Sequence, residues 1–195
     1  MLIGLGCVSK KMIAIPKVIE NSLGYAYNHE FNRLKTIERA AMDHEQKVQW
    51  LYDVEQIKQL KHRYCAYCDQ QYDPDGIASL FTDNGVWEGG PFGRAETRDG
   101  IREFFADVSN QVDFANHYVT NPIIEIDGES ATGRWDLWQP MVMKPDPATL
   151  WLMAKYKERS VRSGDGWLFE LLELDVKALS PYEQGFAKQR FIETE

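Results

Sequence analysis

From about Glu45 the apolar residues Val48, Leu51, Val54, Ile57, Leu60, Tyr64 and Tyr67 recur at steps of three and four, the spacing of one face of an amphipathic helix. Asp73-Pro74-Asp75-Gly76 supplies aspartate caps for a second, short helix, with Ile77, Leu80 and Phe81 pointing inward. After the loop Gly89-Gly90-Pro91-Phe92-Gly93, Asp99 is the expected cap of a third helix carrying Ile101, Phe104, Phe105 and Val108. The pattern then changes to extended runs. Residues 114–126 lead through Val119, Ile124 and Ile126 to the Asp127-Gly128 turn, and a second run follows from Ala131 to Val142. A third run, Leu150 to Val161, is joined by Ser163-Gly164-Asp165-Gly166 to a fourth, Trp167 to Ala178. Three helices followed by a meander of antiparallel strands predict an α+β domain over 44–195. Residues 1–43, interrupted by Pro16 and Gly24, mark no site and read as an N-terminal extension.

A chain of 195 residues suits one such domain with a real core. Thirty acidic against 22 basic residues leave a net charge of -8, with no basic run beyond Lys10-Lys11. That balance argues against nucleic acid or an anionic membrane as partner. No apolar stretch is long enough to span a bilayer, and the opening residues do not read as a targeting segment. Three cysteines, Cys7, Cys65 and Cys68, are too few and odd for a disulfide framework and suit a reducing, cytoplasmic setting.

Of the four histidines, only His117 lies where a strand can aim it inward. Asp69, at the end of the long helix, shares an arc of roughly 140° with Tyr64, Cys65 and Cys68 at about 100° per residue. A carboxylate on one imidazole nitrogen fixes the tautomer and stabilises the cation formed when the other nitrogen takes a proton. A phenol such as Tyr64 can donate to an oxygen on which negative charge develops. Each has a structural alternative: a hydrogen-bonded sheet histidine, a turn aspartate, a core tyrosine. Cys65-x-x-Cys68 has neither the partners of a closed zinc site nor a helix N-terminus to activate a thiolate, so no metal is expected. On the second long run, Arg134, Asp136 and Trp138 share one face and Trp135, Leu137 and Gln139 the other. Trp87, Trp135, Tyr118 and Phe92 supply aromatic surface for an apolar substrate pocket, and equally for an ordinary core.

DVEQIKQLKHRYCAYCDQQYDPDGIASLFTDNGVWEGGPF at 53–92 resembles the opening of SnoaL-like domains of the nuclear transport factor 2-like superfamily. NHYVTNPIIEIDGESATGRWDLW at 116–138 resembles their following strands, and GDGWLFE with SPYEQGF their closing ones. The resemblance implies a cone-shaped half-barrel, with helices packed on a curved antiparallel sheet around a hydrophobic cavity. It also implies a homodimer or homotrimer and no metal or organic cofactor. In the dehydratases of bile acids and scytalone, which this pattern resembles, an Asp and a His form the catalytic pair at positions matching Asp69 and His117. A catalytic tyrosine matches Tyr64, and a further acidic position falls on Gln139, so Gln139 is expected at the substrate.

These expectations converge on a cofactor-free lyase acting on a hydrophobic, ring-containing small molecule. An isomerase with the same pair is the nearest alternative. A binding module, or a structural subunit like the β subunit of ring-hydroxylating dioxygenases, is the non-catalytic one.

Overall fold

The computed structural model describes residues 40–145, 147–164 and 166–192. Most of the expected N-terminal extension, with Cys7 and His29, lies outside the described residues, as does Asp165 of the last turn. The chain divides into two compact units, Met1–Lys47 and Val48–Glu195.

Helix α1, His44–Asp69, opens with a reciprocal cap: Gln46 N–H donates to Asp43 Oδ1 at 2.9 Å and Asp43 N–H to Gln46 Oε1 at 3.0 Å. Its buried stripe differs from the one read in the sequence. Val48 and Leu51 are exposed, and the inward face is Asp53, Ile57, Leu60, Lys61, Tyr64, Cys65 and Cys68. Two charges therefore lie on the core side, each met by an opposite charge: Asp53 by Arg162 and Lys61 by Glu158. Simple apolar spacing does not register a charge that is buried because it is paired.

Helix α2, Pro74–Ser79, starts on the Asp73 cap, with Ile77 and Ala78 buried. Two strands that the sequence did not show follow it: β1, Phe81–Glu88, and β2, Arg94–Glu96, flank a short 3-10 turn at Gly90–Phe92. The polar Thr82-Asp83-Asn84-Gly85 stretch hides β1, and the ladder shifts register between Phe81 and Val86. Only then comes helix α3, Arg98–Val108, so the order of three helices before all strands is corrected. Its cap is Thr97, whose hydroxyl accepts from Gly100 N–H; Asp99 sits in the first turn and pairs with Arg102.

The expected run 114–126 is two strands, β3 (Val112–Ala115) and β4 (Tyr118–Asp127), laid end to end along β5 (Ser130–Met143). The break falls opposite Pro140, which has no N–H to continue a ladder; its carbonyl instead accepts from Asn116 N–H. Strands β6, Thr149–Ser163, and β7, Gly166–Pro181, and a last short helix α4, Gly185–Lys188, complete the chain. The sheet order is β2-β1-β7-β6-β5-β3, with β4 also on β5. All pairings are antiparallel except β1 with β7. Among the described residues no helix is long and apolar enough to cross a membrane.

Candidate active site

The last turns of α1 place Tyr64, Cys65 and Cys68 in the core and end on Asp69. His117 occupies the two-residue break between β3 and β4, where the single run expected over 114–126 divides, and not a strand as expected. The two meet closely. His117 N–H donates to Asp69 Oδ1 at 2.9 Å, and His117 Nδ1 lies 2.6 Å from the same oxygen. Backbone and ring are thus fixed by one carboxylate oxygen, which accepts from Nδ1–H in the neutral tautomer and leaves Nε2 as the basic nitrogen. The His117 side chain is 4% exposed and that of Asp69 26%.

Around this pair the interior is aromatic. Tyr72 sets its ring edge-on to His117, with centroids 5.9 Å apart at 78°, and stacks on Phe105 at 6.0 Å and 12°. Phe105 in turn meets the rings of Tyr64 and Trp87. Parity along β5 resolves as Trp135, Leu137 and Gln139 inward, with Asp136 outside, bonded to Asn121 and Lys155. Gln139 Nε2 donates to Tyr72 Oη at 3.2 Å. Tyr64 is fully enclosed: its hydroxyl accepts from Trp87 Nε1–H at 2.9 Å, and its ring meets Tyr156 and Phe169.

Burial pushes the Tyr64 and Tyr72 phenols far above their ordinary range, so both stay protonated. It pushes Cys65 up to about 12 and raises Cys68 as well. Neither thiol is a thiolate at neutral pH. Among the described residues no three His, Cys, Asp or Glu side chains gather as a metal site.

Of the expected site residues, Asp69 and His117 bond directly and Gln139 is linked to them through Tyr72, while Tyr64, Trp87 and Trp135 lie in the enclosing core. Phe92, on the 3-10 turn, and Tyr118, opposite Trp138 at the start of β4, are solvent-exposed and stand outside this buried group. Tyr72 was missed. Gln71 and Tyr72 both adopt the left-handed conformation, φ 57° and 56°, which nothing in a Gln-Gln-Tyr-Asp sequence announces. Only the crowding of polar residues before Pro74 hinted at a turn.

The sequence model of the SnoaL-like domain matches residues 49–173. The chain belongs to the SnoaL-like domain family. Among curated proteins no sequence matches. A protein of Novosphingobium aromaticivorans provisionally named an aromatic ring hydroxylase is 26% identical, over 67% of this chain and 94% of its own, with a TM-score of 0.63. One from the same organism provisionally named a scytalone dehydratase is 19% identical, over 68% and 89%, also at 0.63. A hexachlorocyclohexane dehydrochlorinase of type 2 is 18% identical, over 69% and 92%, at 0.65. The SnoaL-like chain shares with these the nuclear transport factor 2-like architecture, an α+β cone in which a curled half-barrel sheet carries the helices.

Proposed function

We propose that this SnoaL-like protein is a lyase that eliminates water or a comparable small group from a hydrophobic, ring-containing molecule such as a steroid or aromatic compound. His117 Nε2 takes a proton from carbon, Asp69 holds the ring and stabilises the imidazolium, and a phenol hydroxyl beside them steadies the oxygen that gathers charge. The observation that carries this reading is the pair of hydrogen bonds from His117, backbone and ring, to a single Asp69 oxygen in an aromatic, buried setting. The backbone bond fixes where His117 sits, and the ring bond fixes its tautomer and leaves Nε2 as the basic nitrogen. The names of two structural neighbours, a dehydratase and a dehydrochlorinase, lend support because both denote eliminations.

The proposal includes no metal or organic cofactor, a reducing cytoplasm where buried free Cys65 and Cys68 persist, and self-association into a dimer or trimer. It is tested by a mass-resolved screen of hydroxylated steroids, bile acyl derivatives and lignin-type aromatic dimers without added cofactor. The wild type should yield a product lighter by the leaving group. His117→Ala and Asp69→Asn should lose about 10²–10⁴-fold of the rate. A new isomer of unchanged mass would reassign the chemistry to isomerisation, and turnover indifferent to both substitutions would end the catalytic reading.

A further inference from the structure

Two buried tyrosines have differently placed hydroxyls, Tyr72 against His117 and Tyr64 deeper in the core. Tyr64 Oη accepts from Trp87 Nε1–H, and its ring is walled in by Phe105, Tyr156 and Phe169 with the residue only 2% exposed. Tyr72 Oη accepts from Gln139 Nε2. An amide nitrogen only donates, so this bond fills a lone pair and leaves the Tyr72 O–H free to donate elsewhere.

The backbone shows what it takes to bring Tyr72 there. Two consecutive non-glycine residues in the left-handed region are strained. The twist at Gln71 and Tyr72 turns the chain off the end of α1 so that the Tyr72 side chain folds back inward, leaving the residue 6% exposed. Its ring then lies between Phe105 and His117. Strain held in place this way, three residues after Asp69, accords with a functional position.

We infer that Tyr72, held by Gln139, is the catalytic hydrogen-bond donor to the substrate oxygen that gathers negative charge, with Gln139 a positioning residue and Tyr64 a core residue. The inference rests on the proposed lyase reading for its reaction. In that reaction the proton passes from carbon to His117 Nε2, the electron pair of the broken C–H bond becomes the new C=C bond, and the C–O bond breaks with its electron pair going to oxygen. Tyr72 lends a hydrogen bond without giving up its proton. The proton taken by His117 ends on the departing oxygen, so water leaves and the histidine returns to neutral. Burial, which holds the Tyr72 phenol protonated, suits a donor of this kind.

Two measurements test it, one of them independent of turnover. The first is binding of 4-nitrophenolate, followed by the change in its absorption when a hydrogen bond reaches its oxygen. Wild type and His117→Ala should bind it with a shifted band. Tyr72→Phe should bind about 10–100-fold more weakly and lose the shift, Gln139→Leu should lie between, and Tyr64→Phe should stay close to wild type. Loss of the shift in Tyr64→Phe with its retention in Tyr72→Phe overturns the inference, as does absence of a shift in wild type at millimolar dye. The second measurement uses any substrate found in the screen. Tyr72→Phe should lower kcat by about 10²–10³-fold with little change in KM, and by less for substrates with better leaving groups. Gln139→Leu should lower kcat to a smaller degree with the same leaving-group dependence. An unchanged kcat in Tyr72→Phe, alongside a dead His117→Ala, sinks this inference and leaves the lyase reading standing. Dye binding that follows Tyr72 with no turnover of any compound does the reverse. Thermal melts confirm folding, since Phe preserves the ring stack.

Discussion

Gly133 lies directly opposite Glu158 in the β5–β6 ladder, and a Cβ added at Gly133 would collide with the Glu158 side chain. The glycine is therefore room for a side chain. Glu158 uses that room to approach Lys61, Oε2 to Nζ 3.1 Å, with both side chains fully buried. Gly133→Ala should destabilise the protein by about 1–3 kcal/mol, the usual cost of overpacking. Urea unfolding measures this directly, and a variant as stable as wild type would show that Glu158 can move aside freely.

The pair itself sits among aromatic rings, with Lys61 Nζ 3.6 Å from the centre of Tyr156. Removing one charge strands the other in a medium that cannot solvate it, so Lys61→Met or Glu158→Leu alone should each cost about 3–5 kcal/mol. The double variant should recover most of that loss, because the desolvation penalty of both charges disappears together. Denaturant melts of the four proteins complete the cycle. Additive losses would mean that Lys61 and Glu158 are held by other partners.

The same pair shows where reading the sequence stopped. The long helix, the α2 cap at Asp73 and the four long strands followed from local signals: three-four spacing, aspartates before a proline, Asp127-Gly128 and the glycines after Ser163. Asp69 and His117 were named as a pair from a helix end, an expected strand and the family pattern, although His117 in fact sits in the break between β3 and β4. Lys61, Asp53 and Glu158 were not, since their burial depends on partners 97, 109 and 97 residues away. Strand β1 was hidden by polar residues on a bulged ladder, and Tyr72 by a backbone twist without glycine.

Asp53 carries a pH signature. Burial alone would raise its carboxyl, but bonds from Arg162, Gln49 and Trp167 outweigh it and hold the group below its usual range. The unfolded chain thus binds this proton more readily. The stability it contributes is complete above the ordinary value of about 3.9 and is lost as pH falls through the lower folded value. Asp53→Asn should lower stability near neutrality by about 3 kcal/mol and flatten the acid limb below about pH 4. Calorimetric melts from pH 3 to 7 check this, and acid limbs of equal slope would contradict it.

On the outer face of the sheet Trp138 and Trp151 meet at 4.7 Å, with Phe186 and Tyr182 adjoining and Met153 exposed. Beside them a basic row on β6, Lys155, Lys157 and Arg159, runs next to an acidic row on β7, Glu170, Glu173 and Asp175. A two-fold axis along the boundary sets each row over the opposite row of a second copy, so this face suits self-association. Light scattering should find a dimer that Met153→Glu converts to monomer and that weakens with salt. A monomeric wild type would refute it.

The cysteines offer a last check on how tightly the core near the site is closed. Cys65 and Cys68 are free thiols, 6% and 1% exposed, within one turn of Asp69. Burial drives both upward, Cys65 to about 12, with Lys61 opposing the shift only in part. Thiol reagents attack the thiolate, so at pH 8 these two are shielded twice, by access and by charge. In a Cys7→Ser background, which removes the third cysteine, the folded protein should give no colour with a disulfide dye until urea unfolds it, and then two equivalents at once. Reaction of one thiol well before global unfolding would mean that the end of α1 opens locally, and the Asp69 carboxylate would then hold His117 only part of the time.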